Sequence, residues 1–143
     1  LEKAEKLHVR PVEFEELLKQ SDYISVHCPL NDGTYHMFDR HVFGRMKEGV
    51  IFINTARGAI VKEEDLVWAL QNRRIAMAGI DVTEVEPIPP EHPLLQLDNA
   101  VVTPHTAWYS EEAVASLQLK AAQEAARVLA GEKPKNPVNH PQF

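Results

Sequence analysis

The stretch Met46-Lys47-Glu48-Gly49-Val50-Ile51-Phe52-Ile53-Asn54-Thr55-Ala56-Arg57-Gly58-Ala59-Ile60-Val61 decides how the chain is read. Residues 50–53 form a continuous apolar run, bounded by Gly49 before and by Asn54 and Thr55 after. A short run without alternation reads as a strand buried on both faces, as in a parallel sheet. Arg57 and Gly58 fall where that strand should end. Ligands of open α/β sheets bind outside the carboxyl ends of the strands. Arg57 is therefore a cation at a ligand position; on position alone it reads equally well as a surface arginine in a strand-to-helix loop. Gly58 allows a sharp turn or a close approach of backbone. Residues 63–70 then read as a helix with Glu63, Glu64 and Asp65 in its first turn, where the helix dipole favours acids.

Working outward, residues 23–28, 75–82 and 100–102 are further strand candidates, and Val9 a brief one. Residues 1–7 suit a short helix. A second starts near Pro11 with Phe14, Leu17 and Leu18 on one face, and Asp39 caps a third that carries Val42, Phe43 and Met46 and closes near Gly49. Pro87, Pro89 and Pro90 force an extended crossing, and residues 93–97 suit one helical turn. Ser110 caps a last helix that runs to about Ala130, where Gly131 stops it. Its stripe of Ala113, Leu117, Ala121, Glu124 and Val128 fits either a helix covering its own sheet or one packing on a neighbouring domain or subunit. Residues 133–143 read as an extended strap. Strands alternating with helices predict an α/β fold with a parallel sheet.

At 143 residues the chain can bury a real core. Its net charge of −6 argues against nucleic acid or an anionic membrane as partner, and no apolar stretch is long enough for a transmembrane helix. The single cysteine, Cys28, excludes an internal disulfide and fits a reducing, cytoplasmic compartment. No His/Cys/Asp/Glu group has metal-ligand spacing, so no metal is expected.

Successive strand ends deliver Arg57, then Asp81 with Glu86, then His105 after Thr103 and Pro104. A parallel sheet gathers such ends at one edge, so the three types of group should converge over one cleft. That set suits reduction of a 2-oxo acid. Arginine grips a carboxylate through paired hydrogen bonds, histidine exchanges a proton near neutral pH, and a carboxylate orients the ring. Each has a plainer reading: a loop histidine, a surface glutamate, a turn-capping aspartate. His8, His36, His41, His92 and His140 lack comparable context and read as structural or exposed.

These motifs resemble the D-isomer-specific 2-hydroxyacid dehydrogenases. Residues 47–61 are similar to that family's signature, Gly79-Ile80-Asp81-Val82 with Glu86-Pro87 to its next motif, and Thr103-Pro104-His105 to its last. The resemblance implies a Rossmann-like parallel sheet, NAD as cofactor, and catalysis by Arg57, Glu86 and His105. His105 would exchange the proton, Glu86 hold the imidazolium, and Arg57 bind the substrate carboxylate. It implies a cofactor site of His27, Cys28, Pro29, Leu30, Thr34, Thr55, Ala56, Arg57, Asp81, His105 and Ala107, with Asp81 on the nicotinamide carboxamide. A homodimer is expected on the same ground. Lys62 and Thr83 depart from the family's usual acid and aromatic. Ala107-Trp108-Tyr109-Ser110 is instead similar to the C-terminal-binding-protein branch, whose members include NAD(H)-binding scaffolds. Trp108 would join Arg57 and His105 as a wall of the substrate pocket, or pack under the last helix.

No two of the six glycines are spaced Gly-x-Gly, so the dinucleotide fingerprint is absent from the chain. The expectation is an incomplete Rossmann domain over residues 1–108, followed by a helix and tail, 109–143, that return toward a substrate domain. Such a piece alone should bind NAD weakly or not at all, because the pyrophosphate needs a helix N-terminus.

Overall fold

The computed structural model describes residues 2–139. Its order is α1 (Glu2–Lys6), α2 (Phe14–Gln20), β1 (Tyr23–Val26), α3 (Arg40–Arg45), β2 (Val50–Asn54), α4 (Glu63–Gln71), β3 (Ile75–Ile80), β4 (Ala100–Val102) and α5 (Glu111–Leu129). Single 3-10 turns stand at Gly58–Ile60 and Pro93–Gln96. The four strands form one sheet in the order β1-β2-β3-β4, every pair parallel. This is the parallel sheet that the alternating pattern predicts, in the Rossmann-like form that the resemblance implies. Because all four strands run the same way, their carboxyl ends lie along one edge.

The helix starts follow local chemistry. Asp39 accepts from the Val42 N–H at 2.8 Å and Ser110 from the Ala113 N–H at 3.0 Å, as N-caps do. The far end of α3 is closed by a residue from another element. Arg74 donates to the carbonyls of Gly44 and Met46, the latter at 3.0 Å, and satisfies acceptors that a helix terminus leaves open. Gly131 follows α5 at φ 77°, the left-handed position that ends helices and favours glycine.

Leu18 of α2, Val42 and Phe43 of α3, and Leu66, Ala69 and Leu70 of α4 share one core with Val50, Phe52, Ile75 and Ala78 of the sheet. Phe38, Phe43 and Phe52 meet inside it, Phe43 and Phe52 edge-to-face at 5.5 Å.

Three expectations are corrected here. The 50–53 run is buried on one face only: Val50 and Phe52 are inside, Ile51 and Ile53 half-covered, and Met77 beside them exposed. The helices of the core lie against the Phe52 face, so continuous hydrophobicity does not report burial on both sides. Val9 forms no strand and is exposed. Helix α2 begins at Phe14 rather than Pro11.

The chain divides into two compact units, Leu1–Ala107 and Trp108–Phe143. The first holds the sheet. The second is built on α5, none of whose residues is buried, and on a tail that returns to it through the Lys135 N–H and the Glu124 carboxylate at 2.8 Å. His140 and the rest of the predicted strap beyond residue 139 lie outside the described residues.

Candidate functional site

The loop after β2 is folded back on its own strand by Asn54. This buried side chain donates to the Arg57 carbonyl and accepts from the Ala56 N–H, both at 3.0 Å. It is an Asx turn that fixes residues 55–57. Arg57 turns its guanidinium to the Ala56 carbonyl at 2.6 Å. His27, Cys28, Pro29 and Leu30 at the end of β1 and Thr55, Ala56 and Arg57 at the end of β2 line an open cavity of about 680 Å³. The His27 ring is 2.8 Å from the Ser25 hydroxyl. Thr34 is bound within its loop: its hydroxyl donates to the Pro29 carbonyl at 2.7 Å and accepts from the Asn31 N–H at 2.9 Å.

The next strand end is organised by Asp81, which is buried. One carboxylate oxygen accepts from the Thr103 hydroxyl and the Thr106 N–H, the other from the Ala107 N–H. Its own carbonyl accepts from the His105 N–H at 2.8 Å. Burial pushes the Asp81 carboxyl up, but the Thr103, Ala107 and Thr106 donors together outweigh it and hold the group below the usual range. Asp81 therefore clamps the whole His105 loop. His105 takes φ 55°, a left-handed conformation costly for most side chains and common at functional positions. Its Nδ1 lies 2.8 Å from Glu86 Oε2, while Glu86 Oε1 accepts from the Thr83 N–H at 3.2 Å. The hydrogen bond with His105 is the main reason that the Glu86 carboxyl sits below its ordinary value. An ionised carboxylate only accepts, so Nδ1 carries the hydrogen. Asp81, Thr83, Glu86, Ile88, Pro104 and His105 are among the residues that line a second cavity of about 180 Å³.

The arginine and the carboxylate–histidine pair, expected over one cleft, line two neighbouring cavities. Glu86 and His105 share one, and Arg57 lines the other. Their walls touch: a Cβ on Gly58 would stand 2.0 Å from the Thr83 carbonyl carbon and oxygen. Trp108 opens the second unit, where its ring meets Tyr109 edge-on at 5.8 Å. Among the described residues no group of three or more His, Cys, Asp or Glu could hold a metal ion. None of their helices is long and apolar enough to cross a membrane.

The clamp predicts an acid response. Asp81 and Glu86 both have folded-state values below their unfolded ones. The unfolded chain takes up protons first as pH falls, so their stabilisation is complete above the ordinary carboxyl range and is lost as pH drops through the lowered values. The contribution of Asp81 and Glu86 to the urea midpoint is expected to be flat from about pH 7 to 5 and to fall below about pH 4. Asp81→Asn should be less stable at neutral pH and fall less steeply in acid; an unchanged acid slope would refute the clamp.

Residues 1–107 match the family described as D-isomer specific 2-hydroxyacid dehydrogenase, NAD binding domain. The chain belongs to this family. A glyoxylate reductase of Korarchaeum cryptofilum is 43% identical over 134 residues, covering 94% of this chain and 40% of that protein. A hydroxypyruvate reductase of Blautia hydrogenotrophica is 41% identical over 135 residues, covering 94% and 42%. The crystal structure of D-lactate dehydrogenase with NAD+ from Lactobacillus jensenii superposes with a TM-score of 0.82 at 30% identity, over 90% of this chain and 43% of that one. The chain spans about two fifths of the length of the relatives it matches. The larger of the two cavities combines the apolar Pro29 and Leu30 with the polar Thr55 and the cationic Arg57.

Proposed function

We propose that the whole protein to which this chain contributes interconverts a 2-oxo acid and a D-2-hydroxy acid with NAD. The observation that carries this reading is the Nδ1–Glu86 contact at 2.8 Å on a loop clamped by Asp81. It fixes one histidine nitrogen, which supports proton exchange through the other. His27, Cys28, Pro29, Leu30, Thr34, Thr55, Ala56, Arg57, Asp81, His105 and Ala107 would hold the cofactor, which supplies the hydride when bound. His105 Nε2 gives its proton to the keto oxygen during reduction and takes it back in the reverse direction. Glu86 holds the His105 ring in place through Nδ1. Arg57 binds the substrate carboxylate, which requires its guanidinium to leave the Ala56 carbonyl. Trp108 would favour a bulkier or apolar 2-oxo acid.

The sequence at residues 107–110 keeps the likeness to the C-terminal-binding-protein branch, and with it the reading of an NAD(H)-sensing scaffold. The named relatives are reductases, and a scaffold has no need of the Glu86–His105 pair, so the enzyme reading is preferred. A cytoplasmic homodimer completes it. The test is a fluorescence titration with NADH followed by turnover over a panel of 2-oxo acids, glyoxylate and hydroxypyruvate included. Binding with turnover is expected of the whole protein. Binding without turnover on any acid would favour the scaffold, and failure to bind would end both readings. The 143-residue chain alone should bind NADH weakly or not at all, since it contains no Gly-x-Gly turn; micromolar binding would contradict that.

A further inference from the structure

Four ionisable side chains that this chemistry leaves unused meet at the start of α4. The Glu63 N–H donates to one Glu84 carboxylate oxygen at 2.8 Å, and the Glu84 N–H donates in return to Glu63 Oε1. Glu63 Oε2 lies 3.1 Å from His92 Nε2. On the far side, Glu84 Oε2 lies 3.1 Å from His36 Nε2. The hydrogens in this group can be placed. His92 Nδ1 accepts from the Leu94 N–H at 3.3 Å, so the ring hydrogen is on Nε2 and points at Glu63. Glu63 therefore faces an N–H donor with each oxygen. Only a carboxylate satisfies both, because glutamine would set its NH2 against one donor or the other.

Glu84 lies inside the turn that presents Glu86. In that turn the Thr83 hydroxyl donates to the Val85 carbonyl at 2.9 Å and the Thr83 N–H to Glu86 Oε1. A backbone held at Glu84 is held two residues before the carboxylate that orients His105. We propose that Glu63 is a positioning residue for the Glu86–His105 pair, acting through its bonds to the Glu84 N–H and His92. The inference rests on the proposed role of that pair, but its test does not.

Burial pushes the Glu63 carboxyl up and the Glu84 carboxylate adds to this, against the opposing Glu84 N–H and His92. On its own helix, Lys62 pairs with Glu64 at 2.6 Å and Asp65 at 3.5 Å. The charged groups that act most on Glu86 among the described residues are His105 and Asp81. Glu63 is raised and Glu86 lowered, so Glu63 takes its proton at the higher pH of the two.

The experiment follows carboxyl carbons by NMR in the 143-residue chain, without cofactor or turnover. In Glu63→Gln the Glu86 midpoint is expected to rise by about half a pH unit or more, as its bond to His105 loosens. A variant that only melts earlier, with the Glu86 midpoint unmoved, would overturn the proposal. If Glu63→Gln does not fold, the unaltered chain decides. As Glu63 is protonated, the Thr83 amide should lose on the order of tenfold in exchange protection while Glu86 is still ionised. The Val42 amide, capped by Asp39, serves as control and should not change. Constant protection at Thr83 through that transition would overturn the proposal too.

Discussion

Replacing His105 by Asn in the whole protein is expected to lower kcat for 2-oxo acid reduction by about two to four orders of magnitude. Asparagine is the informative choice because of the backbone. Position 105 sits at φ 55°, and asparagine adopts the left-handed region more readily than most residues. The loop is held through main-chain and Asp81 bonds that do not involve the ring: His105 N–H to the Asp81 carbonyl, and the Thr106 and Ala107 N–H groups to the Asp81 carboxylate. The fold should therefore survive, and what disappears is the imidazole proposed to exchange the proton. Glu86→Gln is expected to cost less, about ten- to a hundredfold, because it keeps an acceptor for Nδ1 and removes the charge that makes the bond strong. Steady-state rates with a melting curve for each variant separate the two effects. Turnover of His105→Asn within tenfold of the unaltered protein would remove His105 from the chemistry.

The strands that carry these groups were legible because each leaves a local mark. The apolar run before Asn54, the second before Asp81 and the third before Thr103 became β2, β3 and β4, and the caps Asp39 and Ser110 sit where their side chains accept from the third residue on. Harder to read is how the loops bind one another. Nothing near Asp81 announces that its carboxylate holds residues 25 and 26 positions further on. Glu63 and Glu84 are 21 residues apart and His36 and Glu84 48, so no window of sequence contains their contacts. His92 gave a usable signal, since it precedes Pro93 at the cap position of a helical turn, but the cap alone does not reveal the partner across it. The separation of Arg57 from His105 into two cavities has the same origin. Strand order fixes which ends are neighbours, and side-chain direction at each end is set by loop bonds such as Asn54 to Arg57.

Gly58→Ala is expected to destabilise the chain by about 3 kcal/mol or more, the upper end for forced overpacking. The cause is space rather than backbone conformation. An added Cβ would stand 2.0 Å from the carbonyl carbon and oxygen of Thr83 and 2.5 Å from the Glu84 nitrogen. All are main-chain atoms, so no rotamer change relieves the clash; one loop must move off the other. The Thr83 side is fixed by its bond to Glu86 and by the Glu63–Glu84 pair, and the Gly58 side by Asn54. For a domain of this size the loss corresponds to a fall in Tm of roughly 10 °C. Gly44 is the control. It lies in α3 with nothing within 4 Å of an added Cβ, so Gly44→Ala should stabilise by about 0.5–1 kcal/mol through helix propensity alone. Urea unfolding of the two variants side by side measures the contrast. Should both shift stability by less than about 0.5 kcal/mol, the close approach of the two loops would be wrong, and with it the shared wall that brings the arginine cavity to the histidine one.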